Sequence, residues 1–261
     1  MSLAAVQLNQ YLTDMLGSHG LKDYCANGWQ VQGRAQISKL VTGVTASQTF
    51  LQQAIAAGAD AVLVHHGWFW QGEDPRVLGV KYQRLSQVIK SDLNLFAYHL
   101  PLDLHPEFGN NVCLGRLLAV QNLRTLSGKA LTATNPELVL RAELPQAITL
   151  AELQGRLASL LDFDPLLIGD PERQVRRISW CTGAAMREFQ SMVAAGMASD
   201  IDVFISGEIS EPCTHLALES GIAYLAAGHH ATERLGVQAI GEHLAQTFGV
   251  QHQFIDCPVP V

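Results

Sequence analysis

Short apolar runs along the chain alternate with stretches in which apolar residues recur every three or four positions. The first such stretch covers residues 2–16, where Leu8, Leu12 and Met15 have the spacing of an amphipathic helix. Ser47 is then expected to cap the start of a second helix. Three short, largely apolar runs predict buried strands at residues 39–45, 61–64 and 93–98, and the first two are rich in β-branched residues.

The second half of the chain repeats this order of elements. Residues 177–208 reproduce the strand, threonine-containing loop, helix and strand of residues 39–67, with a small insertion. A helix and a strand at residues 215–227 then match residues 81–98. We therefore expect an α/β fold of two similar lobes, built by internal duplication of a βαβαβ half. Its sheets should be mostly parallel, with flanking helices and right-handed crossovers.

The region between these repeats has a different character. A strand, a turn and a helix are predicted over residues 143–161, and an Asp/Pro-rich loop over residues 162–171. The part that carries the candidate ligands and the part that does not are expected to form different lobes. The predicted division is residues 1–123 with 208–261 as the metal-binding part and residues 124–207 as a second, partly inserted lobe.

Composition narrows the class of protein. The 261 residues are 48% hydrophobic and only 16% charged, which allows a substantial core. A net charge of −7 makes a nucleic-acid partner unlikely, because phosphate contacts need a basic face. The five cysteines form no C-x-x-C pair and are expected to be reduced thiols of a cytoplasmic protein. No apolar stretch is long enough to predict a membrane span or a signal peptide.

Metal-binding residue types follow the predicted strands at the ends where open α/β sheets bind ligands. If the chain is helical from Ala231, His229 and Glu233 are four positions apart and project from one face of the first turn. Each could instead be structural, since Asp103 could cap a turn and the imidazoles could form hydrogen bonds with carbonyl groups. The five candidate ligands are His65, His66, Asp103, His229 and Glu233.

The chemistry of this set favours transition-metal ions. Imidazoles and carboxylates without thiolates suit Zn²⁺, Mn²⁺, Fe²⁺, Ni²⁺ or Co²⁺. Five ligands exceed one open tetrahedral site, so we expect two divalent ions per subunit, ~3.5–4 Å apart and bridged by one carboxylate. Glu208 and His99 are the candidates for acid–base catalysis, although Glu208 could be a charge at a helix start. His99 and His105 could also orient a ligand. His215 and Glu219 are predicted to lie on a solvated helix face.

Three motifs resemble the Nif-three-like family, and within it the bacterial YbgI-type group labelled GTP cyclohydrolase type 2 homologues. They are V-H-H-G-x-F-W at residues 64–70, H-L-P-L-D-x-H-P-x-x-G-N-N at residues 99–111 and G-H-H-A-T-E-R at residues 228–234. The resemblance implies a dinuclear metal site in a cleft between two α/β lobes, with the same five ligands and Glu233 as the bridge. It also implies a toroidal homohexamer, a trimer of dimers.

Two functions remain open at this stage. One is a metal-dependent hydrolase of the GTP cyclohydrolase type 2-like group, acting on a small nucleotide-like or phosphorylated molecule. The other is a non-catalytic metal chaperone, metal-handling or regulatory ring protein. Trp68, Phe69 and Trp70 follow the histidine pair and could cover the site or pack against a neighbouring subunit. The family resemblance favours the neighbouring subunit.

Overall fold

The computed structural model describes residues 2–17, 22–134 and 136–261. The chain folds into two compact units, Met1–Asp103 with Gly236–Cys257 and Leu104–Leu235 with Pro258–Val261. Each unit is built on one main sheet with helices packed on it, so the predicted mixed α/β class is confirmed.

The elements of the first unit follow the predicted order closely. Its strands are β1 Leu3–Ala4, β2 Gly28–Val31, β3 Gln36–Ile37, β4 Lys39–Thr45, β5 Ala61–His66, β6 Asn94–Ala97 and β13 Gln251–Phe254. Its helices are α1 Ala5–Leu16, α2 Gln48–Ala56, α3 Gly79–Lys90, α4 Leu100–Asp103 and most of α9 His229–Phe248. The predicted cap of α2 is confirmed, because the side chain of Ser47 accepts a hydrogen bond from the backbone of Phe50.

The main sheet of this unit has the order β13-β4-β5-β6-β2. The pairings among β13, β4, β5 and β6 are parallel, and only β2 runs antiparallel, beside β6. The apolar side chains of β5 are fully buried, as their continuous apolar run predicts. His65 and His66 are the last two residues of β5, so they lie at the edge of the sheet where its parallel strands have their carboxyl ends.

The second unit contains the elements between residues 104 and 235. Its strands are β7 Gln121–Thr125, β8 Leu140–Thr149, β9 Leu166–Ile168, β10 Gln174–Cys181, β11 Val203–Ser206 and β12 Ala223–Ala226. Its helices are α5 Asn110–Leu117, α6 Leu150–Leu161, α7 Met186–Ala194, a short 3-10 helix Met197–Ser199, α8 Glu211–Ser220 and the start of α9.

The sheet of the second unit is less parallel than expected. Its order is β7-β8-β10-β11-β12-β9, and only the β10–β11 and β11–β12 pairings are parallel. The strands β7, β8 and β9 pair antiparallel with their neighbours. Sequence patterns missed β7, which is mostly polar and exposed, and β9, which has three residues inside the Asp/Pro-rich loop.

The two units are bounded differently from the predicted lobes of residues 1–123 with 208–261 and residues 124–207. A boundary at residue 207 would separate β11 from its parallel partner β12. Alternate residues of these strands pack into separate cores on the two faces of the sheet, with Ile205 and Leu225 in one core and Phe204 and Tyr224 in the other. The continuous sheet and its shared cores therefore hold β11 and β12 in one unit.

Among the described helices, none combines the length and the apolar character that crossing a membrane requires. All five cysteines are free thiols, as predicted.

Candidate metal centre

His65 lies at the end of β5 with its ring completely buried. Its Nδ1 is 3.0 Å from the carbonyl oxygen of Tyr98, which can only accept, so Nδ1 carries the hydrogen and Nε2 carries the lone pair. That Nε2 lies 3.4 Å from Oδ2 of Asp103. Two atoms bound to one ion at 2.0–2.2 Å are about 3.0–3.5 Å apart. The spacing and the chemistry of this pair therefore fit a shared cation.

His66, the next residue, is anchored in the same way. Its Nδ1 lies 3.1 Å from the hydroxyl oxygen of Thr45, on the neighbouring strand β4. Gln30 on β2 holds the chain that follows, because its side chain bonds both the backbone N–H and the carbonyl of Trp68, each at 2.8 Å. A side chain at Gly67 would overlap Gln30 and Ala97. These contacts fix the direction in which β5 delivers its two imidazoles.

Asp103 closes the short helix α4, one turn beyond the end of β6. Its carboxylate is 7% exposed and faces His65, as the predicted ligand set requires. The single helical turn explains why a residue six positions after Ala97 returns to the histidine of the adjacent strand.

In the second unit, α9 begins at His229, two residues earlier than predicted. His229 and Glu233 are therefore one turn apart, and Nε2 of His229 lies 3.1 Å from Oε2 of Glu233. Nδ1 of His229 lies 2.6 Å from Oε1 of Glu208. Burial would lower the pKa of His229, but the hydrogen bonds and charges of Glu233 and Glu208 together outweigh it and raise that pKa to about 9.

Two glycines allow this part of the second unit to pack closely. Gly183 has φ +67°, and a side chain there would overlap the carboxylate of Glu233 and lie 3.3 Å from Nε2 of His229. A side chain at Gly207 would lie 2.6 Å from Cα of His229. The W-C-T-G stretch, which covers the last two residues of β10 and the two that follow, thus packs around the His229–Glu233 pair. The backbone of Thr182, next to Gly183, is held by the side chain of Asn111 at 2.8 Å.

His99 is a third imidazole of the first unit and lies beside the histidine pair. Its ring centroid is 5.1 Å from that of His65 and 5.7 Å from that of His66. Its Nδ1 lies 2.7 Å from Oδ1 of Asp23, a buried acid that sequence patterns did not single out. Burial opposes the charge of Asp23, yet hydrogen bonds from His99 and Asn27, together with the positive charge of His99, hold its pKa at about 2.

The side chains of Asp23, Cys25 and His99 are close enough to be considered as a separate metal site. Their chemistry does not favour that role. Burial, reinforced by the charge of Asp23, raises the pKa of Cys25 to about 12, whereas the thiolate is the ligand form. Asp23 also accepts hydrogen bonds from Asn27 and from the backbone of Leu100. We interpret Asp23 as the anchor of His99.

Two other histidines that the sequence singled out, His215 and His105, have different surroundings. His215 and Glu219 are exposed on α8, as predicted. Nδ1 of His105 accepts hydrogen bonds from the backbone N–H groups of Glu107 and Phe108, and the ring stacks on Phe108. His105 therefore stabilises the turn before α5.

The aromatic loop after the histidine pair is less exposed than its sequence suggests. Trp68 belongs to the core of the first unit, and its indole N–H donates to the carbonyl of Ala46 at 3.1 Å. Trp70 packs edge-on against His99, with 5.1 Å between ring centroids. Only Phe69 is exposed, with Lys81 over its ring. Trp68 is thus a core residue of its own unit, Trp70 is half-buried, and Phe69 is the exposed aromatic residue of this loop.

One design is common to the three predicted histidine ligands. In each ring, Nδ1 lies against an oxygen: a carbonyl for His65, a hydroxyl for His66 and a carboxylate for His229. Oxygen partners of this kind orient metal-binding imidazoles and leave Nε2 as the ligand atom. In the first unit, His65, His66 and His99 also form a group of imidazoles close enough to hold an ion.

Comparisons with known proteins agree over the whole chain. A family model described as Duf34/NIF3 (NGG1p interacting factor 3) matches residues 4–259. A protein of Pseudomonas aeruginosa named GTP cyclohydrolase 1 type 2 homolog is 45% identical over 260 residues, covering 100% of both chains. One of the same name from Escherichia coli K12 is 42% identical, covering 97% of this chain and 98% of its own. A solved structure described as protein ybgI, of unknown function, matches with a TM-score of 0.90 at 41% identity, covering 99% of this chain and 100% of its own.

Proposed function

The chain belongs to the Duf34/NIF3 family, and from that membership and the anchored donor set we propose that it is a metal-dependent hydrolase. The proposed site holds two divalent ions per subunit in a cleft between the lobes, with ligands His65, His66, Asp103, His229 and Glu233. The proposed substrate is a small nucleotide-like or phosphorylated molecule, as the names of the relatives suggest. We also propose that the two βαβαβ runs derive from an internal duplication.

The observation that carries this proposal is the pairing of an oriented imidazole with a carboxylate in each unit. The Nε2-to-oxygen distances are 3.4 Å for His65–Asp103 and 3.1 Å for His229–Glu233. Both carboxylates are largely buried, so a cation bound beside them would interact with them in surroundings of low dielectric. Nitrogen and oxygen donors of this kind suit the ions from Mn²⁺ to Zn²⁺.

When bound, such ions lower the pKa of a water molecule to about 7 and polarise the bond that is attacked. The protein's own residues would supply the rest. Glu208 orients His229 through Nδ1 and, with a side chain 35% exposed, can also exchange a proton with a bound molecule. Nδ1 of His99 is held by Asp23, so Nε2 is the nitrogen that can exchange a proton. Glu208 and His99 are therefore the proposed proton carriers.

The proposal is tested with metal-loaded protein incubated with GTP and with a panel of phosphomonoesters and phosphodiesters. We expect turnover that requires the metal and disappears in a His65→Ala, His66→Ala variant. His215→Ala is the matched control, because it removes an exposed imidazole from α8 and should leave turnover unchanged. If the wild-type protein shows no turnover above the double variant, the hydrolase proposal is wrong.

A metal chaperone is the second candidate. It is favoured by the partial exposure of His229, because its side chain is 25% exposed and an ion bound there could be exchanged. A carrier should release its ion to a competing chelator within minutes and bind one metal selectively in a competition series. A hydrolase should retain the ion and hold it with an open coordination position. Metal-exchange rates and competition binding therefore distinguish the two functions.

We propose a cytoplasmic homohexamer, arranged as a trimer of dimers, on the strength of the family resemblance. Exposed apolar side chains in the segment that follows the histidine pair, among them Phe69, Leu78 and Val80, are suited to a contact with another copy. Native mass measurement should give six copies for the wild-type protein and fewer for Phe69→Ser. A stable monomer would contradict the ring, and a hexameric Phe69→Ser variant would contradict the role of Phe69.

A further inference from the structure

A polar cavity lies on β7, β8 and β10, where these strands of the second unit pair antiparallel. Its volume is about 220 Å³, and it has no residue in common with the candidate metal ligands. Along β8, Leu140, Ala142 and Leu144 pack into the core, so Arg141 and Glu143 occupy the other face of the sheet. The cavity is lined by Asn122, Arg124, Arg141, Glu143, Arg177 and Asp200, with parts of Ala142 and Ile178.

Two arginines stand directly opposite each other in this cavity. Arg124 on β7 is the cross-strand partner of Arg141 on β8. Like charges in this position destabilise a pair of strands unless something compensates them. Over the described parts of the chain, no carboxylate forms an ion pair or a hydrogen bond with Arg124 or Arg141.

The acids around the cavity are engaged with other arginines. Glu143 is paired with Arg176 at 3.0 Å, and Asp202 binds the guanidinium of Arg177 at 2.5 Å. Asp200 lies on the Arg177 side and contributes to the raised pKa of that arginine. Arg124 and Arg141 are thus a concentration of positive charge in a protein whose net charge is −7.

The backbone of β7 is shaped around this pair. The pairing of β7 with β8 shifts register between Gln121 and Arg124, and Asn122 within this bulge has φ +57°. Bulges of this kind re-aim side chains beside functional sites. Asn122 lines the cavity and adds an amide donor to the two guanidinium groups.

We infer that this cavity, defined by Arg124, Arg141 and Asn122, binds a small oxyanion such as phosphate or a phosphomonoester. Guanidinium groups bind the oxygens of such anions through paired, charge-assisted hydrogen bonds. A volume of about 220 Å³ is below the usual range for drug-sized ligands, which favours a compact anion over a dinucleotide. The site is independent of the proposed hydrolase activity.

The test is calorimetric titration of the metal-loaded, full-length protein with inorganic phosphate, against sodium chloride at matched ionic strength. Arg124→Gln and Arg141→Gln each remove one guanidinium from the cavity. Arg156→Gln is the matched control, because Arg156 is an exposed arginine on α6 of the same unit. We expect a saturable binding component that weakens at least about tenfold in either cavity variant and by less than about twofold in the control.

A second readout separates this site from phosphate bound at the metals. Phosphate should raise the unfolding temperature of the wild-type protein and of Arg156→Gln by the same amount. The rise should be smaller in Arg141→Gln, because the contribution of the cavity is lost. The inference is overturned if wild-type binding is no stronger than in chloride, or if both cavity variants bind phosphate like the wild type. It is also overturned if only an acidic peptide, and not phosphate, binds in an arginine-dependent manner.

Discussion

The first and second units present their imidazoles through different supports. His65 extends from the end of a buried strand and is oriented by the carbonyl of Tyr98, which carries no net charge. His229 opens a helix and is oriented by the carboxylate of Glu208. The first support is part of the backbone, whereas the second is a side chain that a single substitution removes.

This difference has a consequence for charge. In the second unit, one imidazole lies between the carboxylates of Glu208 and Glu233, which is why its pKa rises to about 9. In the first unit, the carboxylate that orients an imidazole, Asp23, acts on His99. The first unit therefore fixes His65 through a backbone carbonyl, and the second concentrates negative charge around its imidazole. We expect substitutions of the orienting carboxylate Glu208 to tune metal affinity, whereas loss of a ligand imidazole in either unit should abolish it.

The largest effect is expected from removing either imidazole. His65→Ala and His229→Ala should each lower metal affinity by more than ~100-fold, since losing a ligand costs more than losing an orienting partner. Metal content after dialysis, measured by elemental analysis, checks this, with His215→Ala as the unaffected control. If each variant keeps one of two ions, the two units bind their metals separately and the proposed shared centre is wrong.

The next effect concerns Gly183 in the W-C-T-G stretch of the second unit. Gly183→Ala should lower the free energy of unfolding by about 2–4 kcal/mol, because it combines left-handed strain with overlap against Glu233. It should also weaken metal binding. The control is Gly196→Ala, where φ is +75° but the space is open, so that strain alone should cost about 1 kcal/mol. Equal losses in the two variants, measured by denaturant unfolding, would show that the contact with Glu233 does not matter.

A smaller and graded effect is expected at Glu208. Glu208→Ala should weaken metal binding about 10–100-fold, as is typical when the partner of a ligating histidine is lost. Glu208→Gln should lose less than about tenfold, because an amide oxygen can still accept from Nδ1 of His229. Isothermal titration with Zn²⁺ or Co²⁺ measures both, and Glu219→Ala on the exposed face of α8 serves as the control. Identical losses in the two Glu208 variants would show that charge, and not orientation, is what this carboxylate contributes.

The smallest effect is expected at Asp23, and it depends on pH. The folded-state pKa of Asp23 is depressed to about 2, so its stabilisation is present above about pH 4 and is lost as the pH falls toward 2. Asp23→Asn should therefore lower the free energy of unfolding by about 1–2 kcal/mol at pH 7. The difference from the wild type should shrink below pH 4. Asp164→Asn, at an exposed position, should show no such dependence; a constant difference for Asp23→Asn would contradict the assignment.

Much of the architecture follows from local sequence patterns. The strand at Lys39–Thr45 and the cap at Ser47 are found as predicted, because apolar periodicity and capping act over a few residues. The strand predicted at residues 61–64 is also found, and it extends two residues further, to His66. The strands β7 and β9 could not be found in this way. Their residues are polar or few, and they are held in the sheet by β8 and β12, which are distant in the chain.

The candidate site likewise has features that follow from local sequence and features that depend on tertiary contacts. The sequence by itself determined which residue types stand at the strand ends, and the family motifs marked five of them as ligands. Only the tertiary structure decided which atoms orient the rings, because Tyr98, Thr45, Glu208 and Asp23 reach their imidazoles from 21 to 76 residues away. It also decided that Trp68 is a core residue, since burial depends on what packs above a side chain. A sequence pattern indicates local geometry, whereas the orientation and burial of a side chain depend on contacts between segments that only the complete fold brings together.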